Sequence, residues 1–298
     1  MPSRWMAGGK GLDEFRNAML NDKHIVELHD FMHPEDVFPN TNNRGGVCYF
    51  MRNANYDNTE HKVKVVTHYE NYSQSTQRSL QTDDWDIFIR ENQAFGILDK
   101  VVKNVPDFVP LSSYVSSRKP FGIESNIIRT SAYHATKDDL DNPVLCYGKG
   151  ERVGYVEYAI ISAHSHWVNK WKVFTPRANN VGTELNDDNL NSFIGAPNTI
   201  CTEAYIVIGG DMNLRCKECG RILKYLKTKF VRYLHSLAKA SHDATSKTYR
   251  FIPMQDFTKE SDIDWGKSIS EIDAQLYAKY GLTAEEIDFI ESKIKPME

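Results

Sequence analysis

No stretch of the chain approaches the roughly 18 consecutive apolar residues that a membrane-spanning helix needs, and the opening residues show no basic segment followed by an apolar run. Both absences argue against a membrane partner and point to a cytoplasmic location. Cysteine is scarce and odd in number: Cys48, Cys146, Cys201, Cys216 and Cys219 are scattered without a secretory leader, so reduced thiols are expected rather than a disulfide framework. Internal repeats and low-complexity tracts are missing as well. The formal net charge of −4 gives no overall attraction to nucleic acid.

Several catalytic and metal motifs begin and then fail. Cys216 and Cys219 have half the spacing of a zinc ribbon, but no second cysteine pair or His-rich partner follows, and they read as ordinary helix residues. His164 and His166 share a face if their segment is extended, yet no carboxylate pattern accompanies them, and surface or turn histidines are the simpler reading. The run Ala7-Gly8-Gly9-Lys10-Gly11 suggests a phosphate loop, but Gly11 stands where Ser or Thr is required, which leaves a flexible lead-in to a helix. No convincing Pro-Asp followed by Glu-x-Lys constellation marks a nuclease.

What is there is a soluble-type composition, 41% hydrophobic and 26% charged over 298 residues, long enough for two domains. The first 51 residues read as a piece of an α/β unit: a helix at LDEFRNAML, then strands at IVELHDF and GVCYFM. The abrupt opening implies a domain entered in its middle, with an N-terminus poorly ordered or self-associating around residues 1–11. KVKVVTHYEN alternates as a half-buried strand, and 85–102 has near-helical apolar spacing. After Pro106 the clearest strands are VGYVEYAIIS, WKVFTP and TICTEAYIVIGG, with a surface loop at 179–192. One long amphipathic helix is expected over 214–240. Ser268 with Glu271 and Thr283 with Glu286 mark two capping boxes, and Gly281 ends the first of these helices.

Charge is distributed unevenly. Residues 221–250 hold eight Lys or Arg (Arg221, Lys224, Lys227, Lys229, Arg232, Lys239, Lys247 and Arg250) against one acid, Asp243. Arg221, Lys224, Arg232, His235 and Lys239 fall opposite the apolar arc, and Lys247, Tyr249 and Arg250 alternate with Ser and Thr hydroxyls suited to phosphate. A solvated charged face is the bland reading; a DNA-contacting stripe is the functional one.

Three blocks carry a family likeness: the opening MPSRWMAGGKGLDEFRNAML, the central VSSRKPFGI (115–123), and the closing RYLHSLAKASHDATSKTYRFIPMQDF with DIDWGKSISEIDAQLYAKYGLTAEEIDFIESKI. Together they resemble the C-terminal part of gamma-class adenine-N6 DNA methyltransferases of type II and type IIG restriction-modification systems, which carry a TaqI-like specificity domain. The resemblance implies an α+β fold: a remnant edge of a Rossmann-like domain over 1–80, a target-recognition domain over 81–253 and a helical tail over 254–298. Double-stranded DNA is the implied partner, contacted through Arg118, Lys119, Arg221, Lys224, Arg232, Lys239, Lys247, Tyr249 and Arg250.

The family's Gly-rich donor loop and its Asn-Pro-Pro-Tyr motif have no counterpart here; the one Asn-Pro, Asn142-Pro143, continues with Val144 and Leu145. Recognition without methyl transfer is therefore expected of the chain alone. S-adenosylmethionine belongs to the complete family enzyme, and no cofactor is expected for this chain. DVFPNTNNRGGVCYFM (36–51) matches the family segment whose aromatic residue packs on an extruded adenine, which makes Phe38 the base-stacking candidate. A core or loop aromatic is the open alternative. A specificity or scaffold subunit that docks a separate methyltransferase or nuclease chain, or a second copy, through the α/β edge is the rival reading.

Overall fold

The computed structural model describes residues 1–9, 11–40, 45–69, 71–81, 85–150, 152–181, 190–239 and 242–295. Lys10 of the glycine-rich run and 182–189 of the expected loop lie outside the described residues.

The N-terminal unit opens with a 3₁₀ turn, Ser3–Met6, and helix α1, Asp13–Asn21. Asp13 and Glu14 stand in the first turn of α1, where acidic side chains suit the positive end of the helix dipole. Strands β1 (Ile25–Phe31) and β2 (Val47–Arg52) follow, then a single helical turn α2 (Asn58–His61), β3 (Val63–His68) and β4 (Ser73–Arg78). The sheet order is β2-β1-β3-β4, with β1 and β3 parallel and the outer pairs antiparallel. One face packs Ile25, Leu28, Val63 and Val65 against Trp5, Met6, Met19, Leu20 and Phe88.

The opening residues are not the loose end that the sequence implies. Trp5 and Met6 are buried, and Met1 exchanges two hydrogen bonds with Cys48 on the outer edge of β2. The buried Arg16 reaches the carbonyls of Trp5, Gly8 and Asp86. Asp30, fully buried on β1, accepts from Ser3 and forms a two-point pair with Arg90 at 2.6 and 2.8 Å. These partners replace the water that a buried carboxylate loses.

Where one helix is expected over 85–102, the α-helix is only α3, Ala94–Leu98, continued by a π turn at Asp99–Lys103. Two small sheets follow. Strands β5 (Pro143–Tyr147), β6 (Val153–Glu157) and β9 (Thr199–Cys201) form one in the order β6-β5-β9. Strands β7 (Lys172–Pro176), β8 (Phe193–Gly195) and β10 (Tyr205–Ile208) form the other in the order β10-β7-β8. Phe121, Val144, Cys146, Phe174, Ile200 and Val207 build a core between them.

The long helix of the sequence is two helices, α4 (Cys216–Lys227) and α5 (Lys229–Leu237). Thr228 causes the break: its extended backbone ends α4, and its side chain accepts from the amide of Val231 to start α5. The expected stretch ends at Ala240, which lies outside the described residues. Helices α6 (Ile269–Lys279) and α7 (Ala284–Lys293) begin with the two capping boxes read from the sequence, and Gly281 takes a positive φ after α6. Ile272, Leu276, Tyr277, Ile290 and Ile294 share one core with α3, α4, α5, β7 and β10. The fold is mixed α+β.

Candidate nucleic-acid interface

A cleft of about 480 Å³ lies between two 3₁₀ turns, Leu111–Tyr114 and Ser246–Tyr249. Ser112, Ser113, Ser246 and Lys247 supply its polar lining with Arg250; Trp85, Val102, Phe108 and Phe251 supply the apolar part. The walls are held by the main chain: Leu111 donates to Ile252 at 2.7 Å and Met254 to Val109 at 2.8 Å, on either side of a Pro110–Pro253 bridge. Below the second turn Tyr249 is fully buried, its ring 4.4 Å from that of His235. The cleft thus brings serine hydroxyls, an exposed lysine and aromatic side chains to one surface.

Lys247 is exposed. Arg250 is held to the Asp86 carboxylate and donates to the carbonyl of Lys247 at 3.1 Å. Burial pushes the Asp86 carboxyl up, but the bond from Arg250 and the charges of Arg250, Lys247 and Arg16 bring it below its ordinary range. Lys103 stands 5.7 Å over the Trp85 ring and pairs with Asp99.

Three of the expected contact residues, Arg232, Lys239 and Tyr249, are corrected by their burial. Arg232 is 1% exposed and Lys239 4%, and Tyr249 has no exposed surface, so none of the three offers an atom to a phosphate. Arg232 donates to the carbonyls of Lys227 and Thr228, tying the break between α4 and α5, and Lys239 Nζ binds Asn179 at its carbonyl and side-chain oxygens. His235, read on the same polar arc, is buried too. Arg221 donates to the carbonyl of Phe257, and Lys224 Nζ to those of Trp265 and Lys267. The segment leading to α6 therefore lies across the polar side of α4, and its carbonyls take the place that phosphate oxygens have in the sequence reading.

Arg118 and Lys119 sit on a different turn and carry acidic partners. Arg118 is 60% exposed and meets Glu203 at 2.7 Å, while Lys119 pairs with Glu124. Burial raises the Glu203 carboxyl, but Arg118 and the amide of Ser125 more than reverse this and hold it low. Phe38 is 48% exposed on the turn that follows Pro34–Asp36, with its amide on the carbonyl of Pro34. Residues 41–44 of the matching segment lie outside the described residues.

His164 and His166 do not converge: the first bonds the carbonyl of Pro120 and stacks on Trp167, and the second meets Asp211 at 3.0 Å. Sequence reasoning missed Trp85, Ser112 and Ser113 as groove residues. The adjacent serines after Pro110 are a weak signal, and only folding brings them to Ser246 and Lys247.

The chain has partial likenesses to known proteins. Residues 1–38 match the Eco57I restriction-modification methylase family. An uncharacterised adenine-specific methylase of Mycoplasma pneumoniae (strain ATCC 29342 / M129 / Subtype 1) is 28% identical over 78 residues, which cover 26% of this chain and 18% of that protein. Among solved structures, the type IIG restriction endonuclease BpuSI is similar over 98% of this chain and 45% of its own, at 12% identity and a TM-score of 0.38. The chain spans less than half the length of either protein.

Proposed function

We propose that this chain recognises double-stranded DNA as the target-recognition portion of a gamma-class adenine-N6 methyltransferase of a restriction-modification system. The observation that carries the reading is the cleft between 111–114 and 246–249, which sets Ser112, Ser113 and Ser246 beside Lys247 and Arg250. Hydroxyls and cations on a rigid surface are the side chains that hold a phosphate backbone in register. Arg118 and Lys119 extend the contact on a second turn, and Phe38 stands exposed for an extruded base. The chain's 298 residues hold neither the donor loop nor Asn-Pro-Pro-Tyr, so S-adenosylmethionine has no matching residues here and the role is recognition rather than transfer.

Filter binding of duplex DNA across a salt series tests the reading. Affinity should fall with salt at a slope of about −0.9 per neutralised phosphate. The Lys247→Ala, Arg250→Ala double variant should bind all sequences more weakly, with the slope flattened by about one unit per lost contact. An unchanged slope would show the cleft to be plain solvated surface.

A second reading rests on the outer edge of β2. Among the described residues this edge is paired only by Met1 and Pro2, while Tyr49 and Met51 further along are more than half exposed. A strand edge with exposed apolar side chains is a template for another chain. In this reading the protein is a specificity subunit that docks a separate catalytic chain, and native mass spectrometry of the assembly separates the two.

A further inference from the structure

A second, wider cleft of about 860 Å³ adjoins the first, and Phe108 lines both. The 3₁₀ turn Leu111–Tyr114 is divided between them: Ser112 and Ser113 line the narrower cleft, and Tyr114 lines the wider. Residues 253–256 and the end of α6 supply further walls, which are tied to each other. Gln255, 4% exposed, donates to the Tyr280 hydroxyl at 2.7 Å and accepts from Lys279 at 2.9 Å, while Tyr225 donates to the carbonyl of Pro253 at 2.6 Å.

Charge separates the two clefts. The narrower one has the exposed Lys247, whereas both lysines that line the wider one are taken up by carboxylates: Lys100 meets Glu286 at 2.6 Å, and Lys279 meets Asp262 at 2.7 Å. Asp256 is occupied by its own turn, accepting from the amide and hydroxyl of Thr258 at 2.7 and 3.0 Å. Asn104 and Asp107 differ. Both are exposed at the wider cleft, and among the described residues neither side chain has a hydrogen bond or an ion pair. A cleft with no spare cation and one unpaired carboxylate has little to offer a phosphate. Base edges are neutral and present donors as well as acceptors, so the same two side chains suit them.

The backbone favours these residues where they stand. Asp107 takes a left-handed φ of 54°, which Asp and Asn adopt more readily than other side-chain-bearing residues. In the major groove an asparagine pairs at two points with N6 and N7 of adenine, and a carboxylate accepts from N4 of cytosine. Resting on the reading above, in which 112–113 and 246–250 hold the DNA backbone, we propose that Asn104 and Asp107 read base edges of the same duplex, an adenine and a cytosine, and so set the recognised sequence. Phosphate contacts then fix the register in one cleft, and base contacts specify in the other.

The test is selection by the full chain from duplexes with a randomised central block, followed by filter binding of the enriched sequence and its single-base changes. The parent should enrich one sequence. Asn104→Ala should lose discrimination at one adenine by about 5- to 100-fold. Asp107→Asn, which keeps the left-handed turn, should exchange a preferred cytosine for adenine. Lys247→Ala should instead weaken binding to all sequences together. If the parent binds no duplex, the recognition reading fails and this assignment falls with it. If the parent binds duplex with the expected salt slope but enriches no sequence, or if its enriched sequence survives both Asn104→Ala and Asp107→Asn, the DNA reading stands and the assignment to this cleft is overturned.

Discussion

Asp86 holds the guanidinium of Arg250 at the edge of the cleft, so a cation suited to phosphate is tethered to a carboxylate of the same chain. The pair bridges residues far apart in sequence and sits beside the exposed Lys247. A tethered arginine is oriented, but part of its attraction for an incoming anion is already satisfied.

Replacing Asp86 with Asn keeps the shape and removes the competing charge. The Asp86→Asn variant is expected to bind duplex DNA more tightly than the parent at low salt, with a salt slope steeper by about one unit. Filter binding at several salt concentrations reads both quantities. A weaker or unchanged affinity would mean that Arg250 serves the fold rather than DNA.

Lys224 presents the opposite case. Its ammonium satisfies the carbonyls of Trp265 and Lys267, so Lys224→Met should reduce stability by about 1–2 kcal/mol in urea unfolding, through loss of charge-assisted bonds. The salt slope of DNA binding should not move. A flatter slope would return Lys224 to the interface.

His235 gives a pH dependence with a definite sign. Burial, followed by the charge of Lys239, drives its pKa well below the ordinary value, so the folded state holds the ring neutral. The unfolded chain binds a proton near pH 6.5 that the folded chain refuses. The stability linked to His235 is therefore complete above about pH 6.5 and is lost as the pH falls below it. Urea unfolding from pH 7.5 to 5.0 should show this decline, and His235→Leu should lessen it; equal slopes in the two proteins would contradict the assignment.

All five cysteines are free, and only Cys216 is exposed. Burial pushes the thiols of Cys146 and Cys219 up to about 12 and raises those of Cys48 and Cys201 as well. A thiol reagent at pH 8 should modify one cysteine quickly in the native protein and five after denaturation. Two fast thiols in the native state would place a second cysteine at the surface.

Local chemistry made part of this molecule legible. Ser268 and Thr283 start their helices because each has a Glu three residues on, a pattern complete within four positions. The strands IVELHDF and VCYFM were readable from their apolar content and bounding turns. The break at Thr228 was not, because the apolar arc continues across it from Leu226 to Phe230; the capping hydroxyl was the one local sign. The buried part of the basic stripe, Arg232 and Lys239, was misread for another reason. Sequence records that Lys224 and Lys239 are cations, but a cation answers a backbone carbonyl as well as a phosphate, and only tertiary packing decides between them. The cleft depends on serines more than 130 positions apart, a relation that no local window contains.

The shared core of α4 to α7 bears on how this protein can be recombined with its relatives. Ile272, Leu276, Tyr277, Ile290 and Ile294 pack with residues as early as Ile87, so a chimera joined at residue 253 would strip the apolar seat beneath α4 and α5. Each large aliphatic side chain uncovered would forfeit about 1.5–3 kcal/mol. A transplant that carries the cleft into another scaffold has to travel with its last forty residues or so, and crossover points that respect this seam are the ones expected to give soluble hybrids.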